Sequence, residues 1–375
     1  MNGLAVVIGN NIEKLRVSKN IAKTELAHLL GVSRPTLDNY IKGKQIIDSG
    51  KLALLAKKFS KSMDYFLSPT NEGRSSLMYR AERASDTPEE IIDGILRRFE
   101  LYSNLLQSNK QKSVFNPPTY SIRFDNQQRL SEKDKHAIEE VAVKCRQALF
   151  LDSCTGQDLF LALEETGIGV LAFPVDPSAR VWGASAYSHE DGAFIYVNDD
   201  ASITEERKIF SLVHELGHLI MHRDGYSQIH SELKYVSRRR DINEKAADHF
   251  TSCFLLPRHK LEQEARIMGG DISFSGIVHL KKKYKVSFQA VVMALANYGF
   301  ISNQESKRFF AALNSRGYNK TEPMPLPYFE KNNRFTLHLQ SLYRNGDIGL
   351  NKVAEYLELP LMEARKVVRE WGVEG

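Results

Sequence analysis

The residues best suited to chemistry lie in the run His214-Glu215-Leu216-Gly217-His218. On a helix, two histidines four residues apart share one face, so two imidazoles can grip one divalent ion. Glu215 lies about 100° round the helix from His214, beside that face, where it can reach a water on the ion. Two histidines do not complete a site: a catalytic zinc centre takes three protein ligands and keeps one position open. Downstream, His222, Asp224 and Glu244 are the candidates for the third. Glu244 suits the role best, because it follows His218 by 26 residues, enough for one loop and a returning helix. Asp248 stands one turn further along the same face, placed to accept the distal N–H of a ligating histidine. A longer zinc motif needs Gly and His at the third and sixth places after His218, and Met221 and Asp224 stand there instead. His222 reads as a hydrogen-bonded histidine at the helix end.

Two helices must carry this set. The spacing predicts them around 204–222, with Ile209, Leu212, Val213, Leu216 and Ile220 apolar, and around 242–256, with Ile242, Ala246, Phe250 and Phe254 apolar. Upstream, Ser131 caps a helix carrying Ile138, Val141, Ala142, Cys145 and Leu149, and another helix spans about Gln157–Thr166. Strands are expected at Gly169–Phe173, Val181–Tyr187 and Ala193–Val197. Two more helices fall within 272–298, and 335–372 reads as all helix beyond the Pro-rich stretch Glu322–Tyr328. The class is therefore mainly α with a small antiparallel sheet, α+β.

The charge is uneven. The 375 residues carry a net +5, yet residues 1–70 hold 11 Lys/Arg against 5 Asp/Glu, a surplus of 6, so the remainder sums to −1. A small basic block joined to a near-neutral body suggests a polyanion-binding module. That block shows short helical patterns at about Ile8–Val17, from Thr24 to Gly31, from Ser33 to about Gly43, over Gly50–Phe59 and at Asp64–Leu67. Residues 70–87 are polar and read as a linker, with a new unit opening near Leu77–Ala81 as one option. A helix follows Thr87-Pro88-Glu89, and a second break ends near Arg129.

The stretch KNIAKTELAHLLGVSRPTLDNYIKGK, with LALLAKKFSKSMDYFLSP after it, resembles the Xre/Cro family of helix-turn-helix repressors over residues 8–68. Gly31 permits the tight turn, and Ala27, Val32 and Leu37 lock the two helices, so the second can enter a major groove. By position Arg34, Thr36 and Asn39 would face bases, while Thr24, Ser33, Lys42 and Lys44 are better placed for phosphates. For Thr24 and Ser33 helix N-capping is the alternative reading, and for the lysines a solvated face. Such domains commonly bind paired half-sites as dimers, which makes a homodimer one partner to consider alongside a double-stranded operator.

Residues 131–300, with GIGVLAFPV, AFIYVND, HELGHLIMH and NEKAADHFTSCFLLP, resemble the ImmA/IrrE family of zinc metallopeptidases. The resemblance implies a zincin-like domain with one Zn²⁺ per chain on His214, His218 and Glu244. It also implies a zinc-activated water with Glu215 as general base, and a protein substrate: a helix-turn-helix repressor, an antitoxin or the chain itself. Tyr187, Tyr226, Tyr235 and His230 are candidates for stabilising an oxyanion, with none assigned. The expected order is a helix-turn-helix domain over 1–69, linker and connecting helix over 70–130, peptidase domain over 131–320 and a helical region over 321–375. The alternative is a repressor or antitoxin whose peptidase-like domain senses or binds a partner without turnover.

Other features exclude classes. No apolar run approaches the 18 or more residues of a membrane span. The N-terminal stretch lacks the pattern of a signal peptide, and Cys145, Cys154 and Cys253 are too scattered for a disulfide framework or a metal knuckle. Buried thiols in a cytoplasmic protein are expected. The runs Arg238–Arg240 and Lys281–Lys283 read as solvated surface. The pattern LNKVAEYLELPLMEARKVVREW reads as a helical hairpin that could imitate a second helix-turn-helix.

Overall fold

A computed structural model describes residues 3–18, 21–59, 63–67, 78–82, 89–109, 117–124, 126, 128–188, 191–223, 227–228, 242–269, 272–318 and 321–372. The chain forms two compact units. One takes Met1–Ser76, Glu89–Arg97 and Ser227–Leu233; the other takes Leu77–Pro88, Arg98–Tyr226 and Lys234–Gly375.

The first unit contains α1 (Gly3–Ser18), α2 (Lys23–Leu29), α3 (Arg34–Ile41), α4 (Ser49–Lys58) and α5 (Met63–Leu67). Ile8, Ile12, Leu26, Leu30, Leu37, Leu55 and Phe66 converge in its core. Local chemistry sets the helix starts. The Ser33 hydroxyl accepts the Thr36 N–H at 3.3 Å, and Asp48 accepts the Lys51 N–H at 2.9 Å. The second helix begins one residue before the expected start: Ala22 is its N-cap, so Thr24 lies within the first turn and does not cap it. Gly31, at φ +62°, makes the turn between α2 and α3, and the Val32 N–H then closes on the Ala27 carbonyl.

The second unit begins with β1 (Met78–Glu82), followed by α6 (Glu89–Ser108), α7 (Glu132–Ala148), α8 (Asp158–Glu165), β2 (Gly169–Phe173), β3 (Gly183–Ser188) and β4 (Gly192–Asn198). Of α6, only the part from Arg98 onward lies in this unit. Then come α9 (Glu205–Met221), α10 (Ile242–Leu255), α11 (Arg258–Ile267), α12 (Phe274–Tyr284), α13 (Phe288–Asn297), α14 (Asn303–Ser315), α15 (Asn333–Arg344), α16 (Leu350–Leu357) and α17 (Leu361–Glu370). Ser131 and Asp134 form a reciprocal capping box at the start of α7.

The sheet corrects one expectation. Its strands run β2-β4-β3-β1, with β3 antiparallel to β4 and to β1, but β2 is parallel to β4, pairing Gly169 with Phe194. The connection 174–182 leaves a strand's width between β2 and β3. The β3–β4 hairpin fills it with β4, which therefore runs alongside β2 in the same direction. Within the stretch read as linker, the option of a new unit opening near Leu77–Ala81 is the one the fold takes: Met78–Glu82 is a strand, registered from Met78 opposite Tyr187 to Glu82 opposite Gly183. The rest of 70–87 lies outside the described residues.

The core of this unit draws on α7, α8, the sheet, α9, α10, α12 and α13. The start of α9 is tied down by charge. The Lys208 ammonium lies 2.7 Å from Asp199 and 2.8 Å from Glu205, and Lys331 lies 2.9 and 2.8 Å from the same two carboxylates. Asn332 continues that anchor, its amide exchanging two 2.6 Å hydrogen bonds with the backbone of Ala172 on β2. Lys281, expected at the surface, is fully buried and meets Glu206 at 2.5 Å. It is recruited because the α9 N-terminus holds a carboxylate that burial would otherwise strand. Arg238–Arg240 lie outside the described residues.

The α16–α17 pair turns through Glu358 at φ +51°, and the Leu359 N–H reaches the Ala354 carbonyl, repeating the geometry at Gly31. The same turn recurs at half-buried Lys285 between α12 and α13, two helices that pack into the second unit's core. It therefore marks a packed helix pair and carries no information about DNA.

Candidate metal centre

Positions on α9 and α10 bring three ligand-bearing side chains together. Gly217, inside the histidine run, lets α10 approach: a Cβ there would lie 2.9 Å from the Phe250 ring. His214 and His218 are almost wholly buried, whereas Glu244 is half-buried at the start of α10. The two Nε2 atoms stand 3.1 Å apart. Glu244 offers Oε2 at 3.3 Å from His214 Nε2 and Oε1 at 3.5 Å from His218 Nε2. Tetrahedral zinc with bonds near 2.05 Å sets its ligand atoms about 3.3 Å apart. Each contact lies near that edge length, with the two histidines facing different oxygens of Glu244, and one ligand atom from each residue lies within 4.8 Å of the others, so the residues fit the ion. No other group of three such side chains gathers among the described residues.

The electrostatics agree. Burial pushes the Glu244 carboxyl up, but the His218 and His214 imidazoles pull it well below the usual carboxylate range. The distal nitrogens of the histidines have neighbours of different kinds. His214 Nδ1 lies 3.1 Å from Asp248 Oδ1, and His218 Nδ1 lies 2.9 Å from His222 Nδ1. His222 ends α9 as its C-cap, a hydrogen-bonded helix-end histidine on the side of His218 away from Glu244. Asp224 lies outside the described residues.

Glu215 faces the sheet. The Ser185 hydroxyl on β3 donates to Glu215 Oε2 at 2.7 Å, with both residues fully buried. Gly183, two residues earlier on the same strand, leaves room for this carboxylate, because a Cβ there would lie 2.9 Å from Glu215 Cγ. Sequence reasoning missed Ser185. Its one visible signal was a hydroxyl between two alanines in a strand that also carries Tyr187 and Ser188, and nothing in the spacing tied it to Glu215. Of the oxyanion candidates, Tyr187 is buried under the Arg223 guanidinium, 4.3 Å above its ring. Tyr226, His230 and Tyr235 lie outside the described residues.

In the first unit Ser33, Arg34, Asn39, Lys42 and Lys44 are exposed on or beside α3, and Thr24 is exposed on α2. Thr36 is half-buried, with its hydroxyl 2.8 Å from that of Ser33. Lys23 bridges to Asp38 at 2.8 Å and ties α2 to α3.

Comparison with known proteins gives two family matches: residues 12–66 to a helix-turn-helix domain and residues 163–296 to the IrrE N-terminal-like domain. Curated relatives include an uncharacterized HTH-type transcriptional regulator of Rickettsia conorii, 32% identical over 65 residues, 17% of this chain and 52% of that protein. Another, of Rickettsia prowazekii, is 32% identical over 65 residues, 17% of this chain and 50% of that protein. The chain thus spans about half the length of these relatives. No described helix is long and apolar enough to cross a membrane. The chain is a fusion of a helix-turn-helix domain and an IrrE-like domain, consistent with an Xre/Cro head on an ImmA/IrrE peptidase architecture.

Proposed function

We propose that the chain is a DNA-binding transcriptional regulator carrying a zinc endopeptidase, which hydrolyses a peptide bond in a helix-turn-helix repressor, an antitoxin or the chain itself. One observation carries the peptidase reading: His214, His218 and Glu244 bring ligand atoms within 4.8 Å of one another, the two Nε2 atoms 3.1 Å apart with a Glu244 oxygen 3.3 Å from one and the other oxygen 3.5 Å from the second, close to the ligand spacing of tetrahedral zinc. These residues would hold one Zn²⁺ per chain, with Asp248 steadying His214. Zinc held there supplies a Lewis acid and an acidified water. The Glu215 carboxylate takes the proton and returns it to the leaving amine, and the Ser185 hydrogen bond keeps that carboxylate oriented.

The helix-turn-helix match supports DNA as the first partner. Arg34, Thr36 and Asn39 would read bases, and Thr24, Ser33, Lys42 and Lys44 would hold phosphates. Binding of paired half-sites by a homodimer follows from the same reading. Free thiols at Cys145, Cys154 and Cys253 suit a cytoplasmic setting.

The test compares zinc content and fragment formation between wild type and Glu215→Gln, alone, with DNA, and with co-expressed repressors from neighbouring genes. The reading expects stoichiometric zinc in both proteins and fragments from wild type only. Zinc-loaded wild type that never yields a fragment would favour the alternative of a sensing or partner-binding domain without turnover.

A further inference from the structure

We infer that His222 is the positioning residue for the ligand His218, accepting the His218 Nδ1–H on its own Nδ1 and so fixing the tautomer that aims Nε2 at the ion. This rests on the zinc reading of His214, His218 and Glu244.

The argument begins with the ring of His218. Its Nε2 faces His214 Nε2 at 3.1 Å and Glu244 Oε1 at 3.5 Å, so this nitrogen must present a lone pair if it is a ligand. A neutral imidazole then carries its proton on Nδ1. The atom 2.9 Å from that Nδ1 is His222 Nδ1, which must accept, and the His222 proton is thereby placed on Nε2. One metal bond thus sets the tautomers of two rings in series.

The backbone prepares this contact. His222 leaves helical geometry at φ −125° and ψ 16°, while its N–H still bonds the His218 carbonyl at 2.9 Å. His222 is therefore tied to His218 through both main chain and ring. It is also largely buried, so water competes little for the Nδ1–H. The two ligands are supported unequally: His214 has the carboxylate of Asp248, whose side chain is 62% exposed, and His218 has a buried imidazole. Loss of such a partner typically weakens metal binding about 10- to 100-fold.

The experiment is a zinc titration against a competing chelator on the full chain, with wild type, His222→Phe and His222→Asn. The Phe ring fills space without accepting, whereas the Asn carbonyl can accept. The expected result is one tight zinc in wild type, about 10- to 100-fold weaker binding in His222→Phe, and recovery to within a few-fold in His222→Asn. Nitrogen-15 histidine shifts of the zinc-loaded wild type give a readout independent of the variants: His222 should be protonated on Nε2 and bare on Nδ1. Equal zinc affinity in wild type and His222→Phe, no recovery in His222→Asn, or a His222 protonated on Nδ1 would each overturn the inference while leaving the zinc reading intact. A wild type that takes up no zinc would overturn both.

Discussion

Ser185 on β3 donates its hydroxyl to Glu215 on α9 at 2.7 Å, and neither residue is reached by solvent. The bond joins the strand to the residue proposed to move the proton. Removing it with Ser185→Ala leaves the ligand triangle untouched. A hydrogen bond to a charged group contributes about 1.5–3 kcal/mol. Ser185→Ala should therefore slow fragment formation by roughly 10- to 100-fold with zinc content unchanged, measured by cleavage rate and elemental analysis on the same preparation.

Glu244 supplies the only carboxylate in the triangle. Added zinc should raise the unfolding temperature of wild type, because a ligand that binds only the native state stabilises it by mass action. In Glu244→Gln that rise should shrink to a small fraction of the wild-type value, read by thermal melts with and without a chelator. An equal rise in both proteins would remove Glu244 from the metal site.

Glu164, buried at the end of α8, has its carboxyl pushed up to about 7 by burial, with partial relief from Arg334 and the Tyr102 hydroxyl. Its ordinary value is 4.5, so the folded state binds this proton more tightly than the unfolded state does. The associated stability is complete below about 4.5 and is lost as pH rises through about 7. Glu164→Gln carries no such penalty. Its stability relative to wild type should climb across that window and level off above it, at a gain of about 3 kcal/mol. Denaturant melts at pH 5, 7 and 8.5 check this, and a gain independent of pH would contradict it.

Lys331 completes a largely buried square of charges with Lys208, Asp199 and Glu205. Lys331→Met leaves the buried Glu205 and half-buried Asp199 carboxylates sharing one ammonium. Breaking a buried pair by removing one partner costs about 3 kcal/mol or more. The variant should melt several degrees lower, while the double variant Lys331→Met with Asp199→Asn should recover part of the loss. A Lys331→Met melt at the wild-type temperature would show that the square contributes little.

On the helix-turn-helix head, the Lys42→Ala and Lys44→Ala pair should weaken DNA binding on every sequence and flatten its salt dependence by about 2 units of slope. Arg34→Ala and Asn39→Ala should instead lower discrimination between operator and random DNA by about 1–3 kcal/mol each. Fluorescence anisotropy across a salt series separates the two effects. An unchanged slope in the lysine variant would move the phosphate contacts elsewhere.

Much of this was legible in the chain itself, because local physics writes it there. A four-residue histidine spacing puts two rings on one helical face whatever surrounds the helix. The serine before a helix and the glycine at a turn likewise act within a few residues, and Ser33, Ser131 and Gly31 stand where those rules place them. The packing of several elements decided the rest. Residues distant in sequence gain meaning only when folding sets them side by side: Ser185 beneath Glu215, Lys331 beside Asp199, and β4 inserted between β2 and β3. Lys281 shows the limit most plainly. In sequence it is one of three consecutive lysines, and only the tertiary fold brings Glu206 within 2.5 Å, where a buried carboxylate makes a buried ammonium affordable.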